Sequence, residues 1–339
     1  MIFNFKNVLK WVIRIFFLFL FVLFILIFVG KPSPVEEPEW GINFSSKHSE
    51  LMGLDWKENY LALLDDLKVR RIKLITHWDY LEPEKGNYDF EDIDWQMKEA
   101  KIRGVEILFV IGMKTPRWPE CHVPEWAANL SFKEQQESVL KLISLSILRY
   151  KVYDNIWGWQ IENEPFFHFG DCPPTDAEFL RKEIELVKEL DEKKRPVVIT
   201  ESGEGPLWIK AAKVGDIVGT TLYKKVWFKE VKIYVYYPFP EVFYWRKKNM
   251  IKNLFGKEVI CVEMQAEPWG PRLVYDVSLK EQEKTMNLEQ LKRIIEFTRK
   301  IGFDEVYLWG AEWWFWMKKT QNRPEIWDYL RVFFEQNSV

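Results

Sequence analysis

The chain has 339 residues, 47% hydrophobic and 29% charged, the balance of a globular protein with a sizeable core. A net charge of −3 removes the electrostatic case for nucleic acid or acidic lipid headgroups as partners. The unusual numbers are 18 Trp and 17% aromatic residues, many beside Pro, Gly and polar residues in loop-like segments, where flat faces suit either a bulky core or a ring-bearing ligand such as a sugar.

The N-terminal thirty residues read as a separate unit. Lys6, Lys10 and Arg14 precede an apolar run over 15–29. With 11–13 added and Arg14 snorkelling, the stretch approaches the roughly 20 residues that span a bilayer. A membrane anchor over 1–30 is expected, then a Pro-rich linker over 31–38 and one domain over 39–339. The positive charges on the short N-terminal side keep that side in the cytoplasm and put the domain outside. A cleaved signal peptide, giving a secreted protein, is the competing reading. The apolar run is at the long end for an h-region, and no small-x-small site follows it.

Short β-branched runs then alternate with helical patterns. Strands are predicted over 40–44, 71–76, 105–111, 156–161, 196–200, 217–222, 258–262 and 305–309. Helices are predicted over 56–68, 90–103, 132–150, 176–190, 240–254, 288–301 and 324–335, with a short fifth crossover near 206–214. Strands joined by helical crossovers pair in parallel. Eight such units predict an α/β fold, a (β/α)8 barrel. No GxGxxG follows the first strand and no GxxxxGK[ST] occurs, which removes the nucleotide-binding alternatives.

Chemistry in such a barrel gathers at the C-terminal strand ends. The second strand ends in Thr76-His77-Trp78, and the third runs into Lys114, Arg117 and Trp118. The fourth ends in Glu162-Asn163-Glu164, the fifth in Glu201 and the sixth in Tyr223. The seventh ends in Glu263 with Gln265 beyond, and the eighth in Trp309 with Glu312 beyond. Glu164 and Glu263 supply the two carboxyl groups that glycosidic bond cleavage needs, one to protonate the leaving oxygen and one to attack or to activate water. Glu267, in "AEPW", is the rival to Glu263. Strand alternation groups Cys261 with Glu263 and Glu162 with Glu164, and makes an interior Glu162–Lys73 ion pair available. His77 fits either a site or a packed histidine. Trp118, Trp227, Trp269, Trp313 and Trp314 fit either sugar subsites or packing, while Arg117 and His122 carry no decisive signal.

"WQIENEP" over 159–165 resembles the fourth-strand signature of clan A glycoside hydrolases, and "VICVEMQAEPW" over 259–269 is similar to their seventh-strand segment. "IKLITHWDYLEPEKGNYDF" over 72–90 resembles the second-strand segment of cellulase-like (family 5-like) and β-galactosidase-like members. The resemblance extends over most of 40–335. It implies a retaining glycosidase with Glu164 as acid/base, Glu263 as nucleophile and no cofactor or metal. It further implies Asn163 on the sugar 2-hydroxyl, Tyr223 on the nucleophile and Trp309 as a platform under the reacting sugar. His77, Trp78 and Glu312 join the candidate substrate contacts. Lys73 stands where the clan carries an Arg that keeps the nucleophile ionised; lysine keeps the charge and loses the planar fork. A catalytically inactive sugar-binding barrel and a transglycosylase of envelope polysaccharide assembly are the alternatives.

Three cysteines complete the reading. Cys121 and Cys172 lie in Pro-rich segments after the third and fourth strands, so their loops share one barrel face, and a disulfide between them is expected. Cys261 reads as a buried small hydrophobe. No Cys/His spacing suits zinc.

Overall fold

The computed structural model describes residues 5–337 other than 36 and 174–175, and in the first helix the side chains of residues 9–22, 24, 25 and 28. Ten strands form: β1 Glu39–Phe44, β2 Arg71–Ile75, β3 Glu106–Ile111, β4 Ile156–Ile161, β5 Val197–Glu201, β6 Ile217–Leu222, β7 Lys225–Phe228, β8 Ile233–Tyr236, β9 Glu258–Gln265 and β10 Glu305–Trp309. Eight of them close into a barrel in the order β1-β10-β9-β6-β5-β4-β3-β2. Every pair in it is parallel. All eight predicted barrel strands are present within a few residues of their expected bounds. The antiparallel hairpin β7–β8 was not expected; it is inserted between β6 and the helix Glu241–Phe255.

Local chemistry sets the crossovers. Ser131 opens the helix Phe132–Tyr150 with a reciprocal capping box to Glu134. Asp176 and Asn287 cap the helices Ala177–Leu190 and Leu288–Ile301 through their side chains. A large apolar cluster fills the space between the barrel and its helices, and a smaller one of Leu108, Val198, Ile260, Val262 and Tyr307 fills the barrel interior. A third cluster, with Ile75, Val110, Tyr223, Val226 and Trp309, lies next to the strand ends that carry the candidate site.

Three expectations need correction. Among the described residues no helix is long and apolar enough to cross a membrane. A helix α1, Phe5–Phe28, does form, and the large apolar side chains described along it are mostly exposed. The transmembrane segment expected over 1–30 is therefore not supported. Second, Cys261 does not share a face with Glu263. The register on β9 shifts between Thr220↔Cys261 and Thr221↔Glu263, a bulge that puts Ile260 and Val262 in the barrel and Cys261 in the outer core. Third, Glu162 does not pair with Lys73. The chain leaves the extended conformation there, with Glu162 at φ 59°, and its carboxylate accepts the Met113 and Lys114 backbone N–H groups at 2.8 and 2.6 Å. Gly112 makes room for this, because a Cβ there would lie 2.4 Å from Glu162 Oε1. The Cys121–Cys172 disulfide forms as expected, with Cα atoms 5.3 Å apart, and Cys261 is free and buried.

Candidate active site

The loops beyond β2, β3, β4, β6, β9 and β10 bring a dense set of buried polar groups to one end of the barrel. Lys73, on β2, donates from Nζ to Glu263 Oε1 at 2.8 Å, and the Tyr223 hydroxyl donates to Glu263 Oε2 at 3.1 Å. Both Glu263 oxygens therefore take donors that suit an ionised carboxylate. Lys73 has no exposed surface, and it reaches Glu263 because the β9 bulge turns that side chain inward.

Glu164 sits in a different environment. It lies three residues beyond β4 in a left-handed turn, φ 42°, pinned when its N–H donates to Thr200 Oγ1 at 2.6 Å. Lys114 Nζ donates to its carbonyl oxygen at 3.1 Å and to that of Phe167 at 2.8 Å. On the carboxyl itself the Thr221 hydroxyl donates to Oε1 at 3.3 Å, the single hydrogen bond it takes among the described residues. Burial pushes the Glu164 carboxyl up to about 8, and the charges of Glu263 and then Glu120 add to the rise. Two carboxyl groups thus stand within electrostatic reach of each other, one held protonated at neutral pH and the other met by an ammonium and a phenol.

Glu120 is a third carboxyl in the same place. Burial pushes it up to about 7, and its Oε2 accepts from Asn163 Nδ2 at 2.9 Å. Asn163 is thereby oriented by Glu120. On the far wall Arg117 pairs with both Glu267 and Glu312, and its guanidinium lies 4.0 Å from the Trp309 ring centroid. Trp309 Nε1 donates to Glu267 Oε1 at 2.8 Å. Glu267, the rival nucleophile, is committed to Arg117 and Trp309.

The remaining sequence candidates divide. Glu312 is fully buried and serves Arg117 and the Ser45 N–H. His77 bonds Ser45 Oγ at 2.9 Å and Thr115 Oγ1 at 3.1 Å with the His122 ring tilted against it; burial and then His122 hold it well below its usual range, hence neutral. Trp78 is a correction. It starts the short helix Trp78–Leu81, donates to Glu82 Oε2 at 2.9 Å and is buried against Trp126. Trp313 and Trp314 are core residues too, tied to Gln282 and to the Ala266 carbonyl. Trp269 lies against Tyr223, 5.0 Å between ring centroids. A cavity of about 50 Å³ between the disulfide, Glu162 and Glu183 holds neither Glu164 nor Glu263 and is not the reaction pocket. Sequence reasoning missed Glu120 and gave Arg117 no role. The one signal available was their place beside Pro119 and Cys121, in a loop that the disulfide fixes.

No family model matches the chain, and no curated protein is similar to it in sequence. Solved structures do resemble it. A β-galactosidase from the haloarchaeon Halorubrum lacusprofundi matches 80% of this chain and 52% of its own at 14% identity, TM-score 0.55. A family 10 endo-β-1,4-xylanase from Gloeophyllum trabeum matches 80% and 83% at 14% identity, TM-score 0.54. GH5_18 from Bifidobacterium longum subsp. longum matches 81% and 70% at 11% identity, TM-score 0.56. The chain spans about half the length of the β-galactosidase. At these identities the likeness establishes the fold: the resemblance to clan A glycoside hydrolases holds as a shared closed parallel barrel.

Proposed function

We propose that the chain is a retaining glycosidase in which Glu164 is the general acid/base and Glu263 the nucleophile. One observation carries the reading: two buried carboxyls, one just beyond β4 and one on β9, stand in opposed environments. Glu164 is raised to about 8 by burial and by Glu263, while Glu263 takes donors from Lys73 and Tyr223. In the first step a Glu263 oxygen bonds to the anomeric carbon as the glycosidic bond breaks, and the Glu164 proton passes to the leaving oxygen. The Glu263 charge is spent in the ester, so Glu164 loses one cause of its raised affinity for a proton. It then takes a proton from water, whose oxygen displaces Glu263 and restores the original configuration. Asn163, held by Glu120, and Trp309 are the proposed sugar contacts.

The test uses aryl glycosides. Glu263→Ala should abolish turnover on all of them. Glu164→Ala should lose roughly 10²–10⁴-fold on poor leaving groups and far less on good ones, which need little protonation. Azide should restore the Glu164 variant by attacking the glycosyl-enzyme. Wild-type rates in both variants would put the chemistry elsewhere. An inert sugar-binding barrel would have no use for a protonated Glu164, and mass analysis of products separates hydrolysis from transglycosylation. We also propose that the barrel works outside the cytoplasm, a reading supported by the Cys121–Cys172 disulfide and by Lys6, Lys10 and Arg14 before the apolar helix. Carbonate washing of membranes and external protease decide whether residues 1–30 hold it there.

A further inference from the structure

We infer that the loop after β3 closes the glycone side of the barrel mouth, so that the site takes a terminal sugar and releases it singly. The inference rests on the roles just proposed for Glu164 and Glu263. In the ring of strands β3 and β9 stand diametrically opposite, with three strands between them either way. Arg117 follows β3, yet its guanidinium pairs with Glu267, which follows β9, and with Glu312, which follows β10. The side chain therefore straps the whole mouth.

The strap covers a surface that a sugar chain would need. Arg117 stacks 4.0 Å from the centroid of Trp309, the proposed platform, and covers one face of that ring. Arg117, Glu267 and Glu312 are all buried, so the closure is packed rather than a loose contact. The path is costly to hold: Arg117 and Glu120 both adopt positive φ, 90° and 75°, and the disulfide at Cys121 fixes the loop just beyond them.

The side that is closed follows from the chemistry. A retaining enzyme keeps the leaving group beside its acid and the glycone beside its nucleophile. Glu267 lies four residues beyond Glu263 on one segment, and its Oε1 accepts from Trp309 Nε1 on β10, the strand paired with β9. The strap thus borders the nucleophile. On the acid side the segment after Glu164 presents Phe166, Phe167, His168 and Phe169, none of them fully buried, which offer an aglycone a surface.

The strap also reads the sugar it stops. Arg117 Nε and Glu267 Oε2 are buried with no hydrogen-bond partner among the described residues, one donor and one acceptor. That pair suits neighbouring hydroxyl groups of a terminal pyranose.

The experiment follows products by length. A panel of aryl monoglycosides identifies the sugar; the same sugar is then offered as an aryl bioside and as reducing-end-labelled oligosaccharides. Wild type should shorten labelled oligosaccharides one residue at a time and release intact biose at least about 100-fold more slowly than it cleaves the monoglycoside. Arg117→Ala should raise the relative rate of biose release by about tenfold or more, because the mouth is then open. Should Arg117→Ala fail to fold, the wild-type product pattern decides alone. Internal cleavage, or biose released as fast as the monosaccharide, by an enzyme that still needs Glu164 and Glu263 overturns the strap and leaves their roles standing. No turnover of any glycoside, or full activity in Glu263→Ala, overturns those roles and the strap with them.

Discussion

The proton on Glu164 is favoured by burial and by two like-charged neighbours. Burial is the largest, the Glu263 charge the next, and the Glu120 charge the third. Lys114 opposes them, yet its ammonium is turned to the backbone carbonyls of Glu164 and Phe167 rather than to the carboxyl. Glu120 offers a way to test this balance without touching the reacting pair. Glu120→Gln keeps an acceptor for Asn163 Nδ2 and removes a negative charge near Glu164. A carboxyl relieved of a negative neighbour loses its proton more readily, so the Glu164 pKa must fall from about 8. Activity that needs protonated Glu164 is lost as pH rises through that value. The basic limb of the kcat/KM profile should accordingly move to lower pH in Glu120→Gln, with the acid limb little changed. A basic limb that stays in place, or moves up, would show that Glu120 does not act on Glu164. Glu120→Ala should add a loss of rate, since Asn163 is then no longer held.

At the scale of elements, the disulfide ties the loops after β3 and β4, and those loops carry Arg117, Glu120, Asn163 and Glu164. With the two cysteines 51 residues apart, the chain-entropy model puts its contribution at about 4 kcal/mol. Replacing both cysteines by Ala should lower the midpoint of chemical denaturation and also reduce kcat/KM, because Arg117 and Glu120 stand in left-handed backbone that the bond helps to hold. An unchanged midpoint would mean that the packing of these loops suffices. The strands that lead into them were legible because each is a short β-branched run, and the long helices because their caps and periodic apolar faces are written locally. The helix Ala311–Lys319 escaped notice for a physical reason: 311–317 are buried on every side, which erases the periodicity by which an amphipathic helix is read. The hairpin β7–β8 alternates aromatic, aliphatic and lysine residues over four-residue strands, too short to tell from a loop. The same logic divides the site. Lys73, Asn163, Glu164, Tyr223 and Glu263 lie on barrel strands or within three residues of their ends, where the fold assigns them a place. Arg117 and Glu120 owe their places to a loop crossing the mouth, which no local pattern encodes. Trp78 was misplaced because a position at a strand end does not say which way a side chain turns.

Taken as a whole, the barrel keeps charge at both ends and uses the two ends differently. Arg71 and Lys73 lie two apart on β2 and so project to the same side of the sheet. Lys73 meets Glu263 toward the end where the loops converge, whereas Arg71 pairs with Glu39, Glu106 and Glu305 at the starts of β1, β3 and β10. That cluster staples four adjacent strands at the end where conservation of fold, not chemistry, is at stake. Glu305 is the member most dependent on it, since its side chain is 13% exposed against 57% for Glu39 and 46% for Glu106. Arg71→Met should cost about 3 kcal/mol, at the low end for a broken buried pair because Glu39 and Glu106 can turn to water. Lys73→Met should cost about 3–5 kcal/mol, because it strands Glu263 among buried groups. The kinetic outcomes should part company more sharply than the stabilities. Measured well below both melting temperatures, Arg71→Met should keep kcat/KM within about twofold of wild type, and Lys73→Met should lose more than about 10²-fold, as befits a group that holds the nucleophile's charge in place. Lys73→Arg should recover part of that loss, since it keeps the charge and gains a fork. Equal losses of kcat/KM in Arg71→Met and Lys73→Met would mean that the two ends are mechanically coupled and that the lower cluster sets the geometry of the upper one.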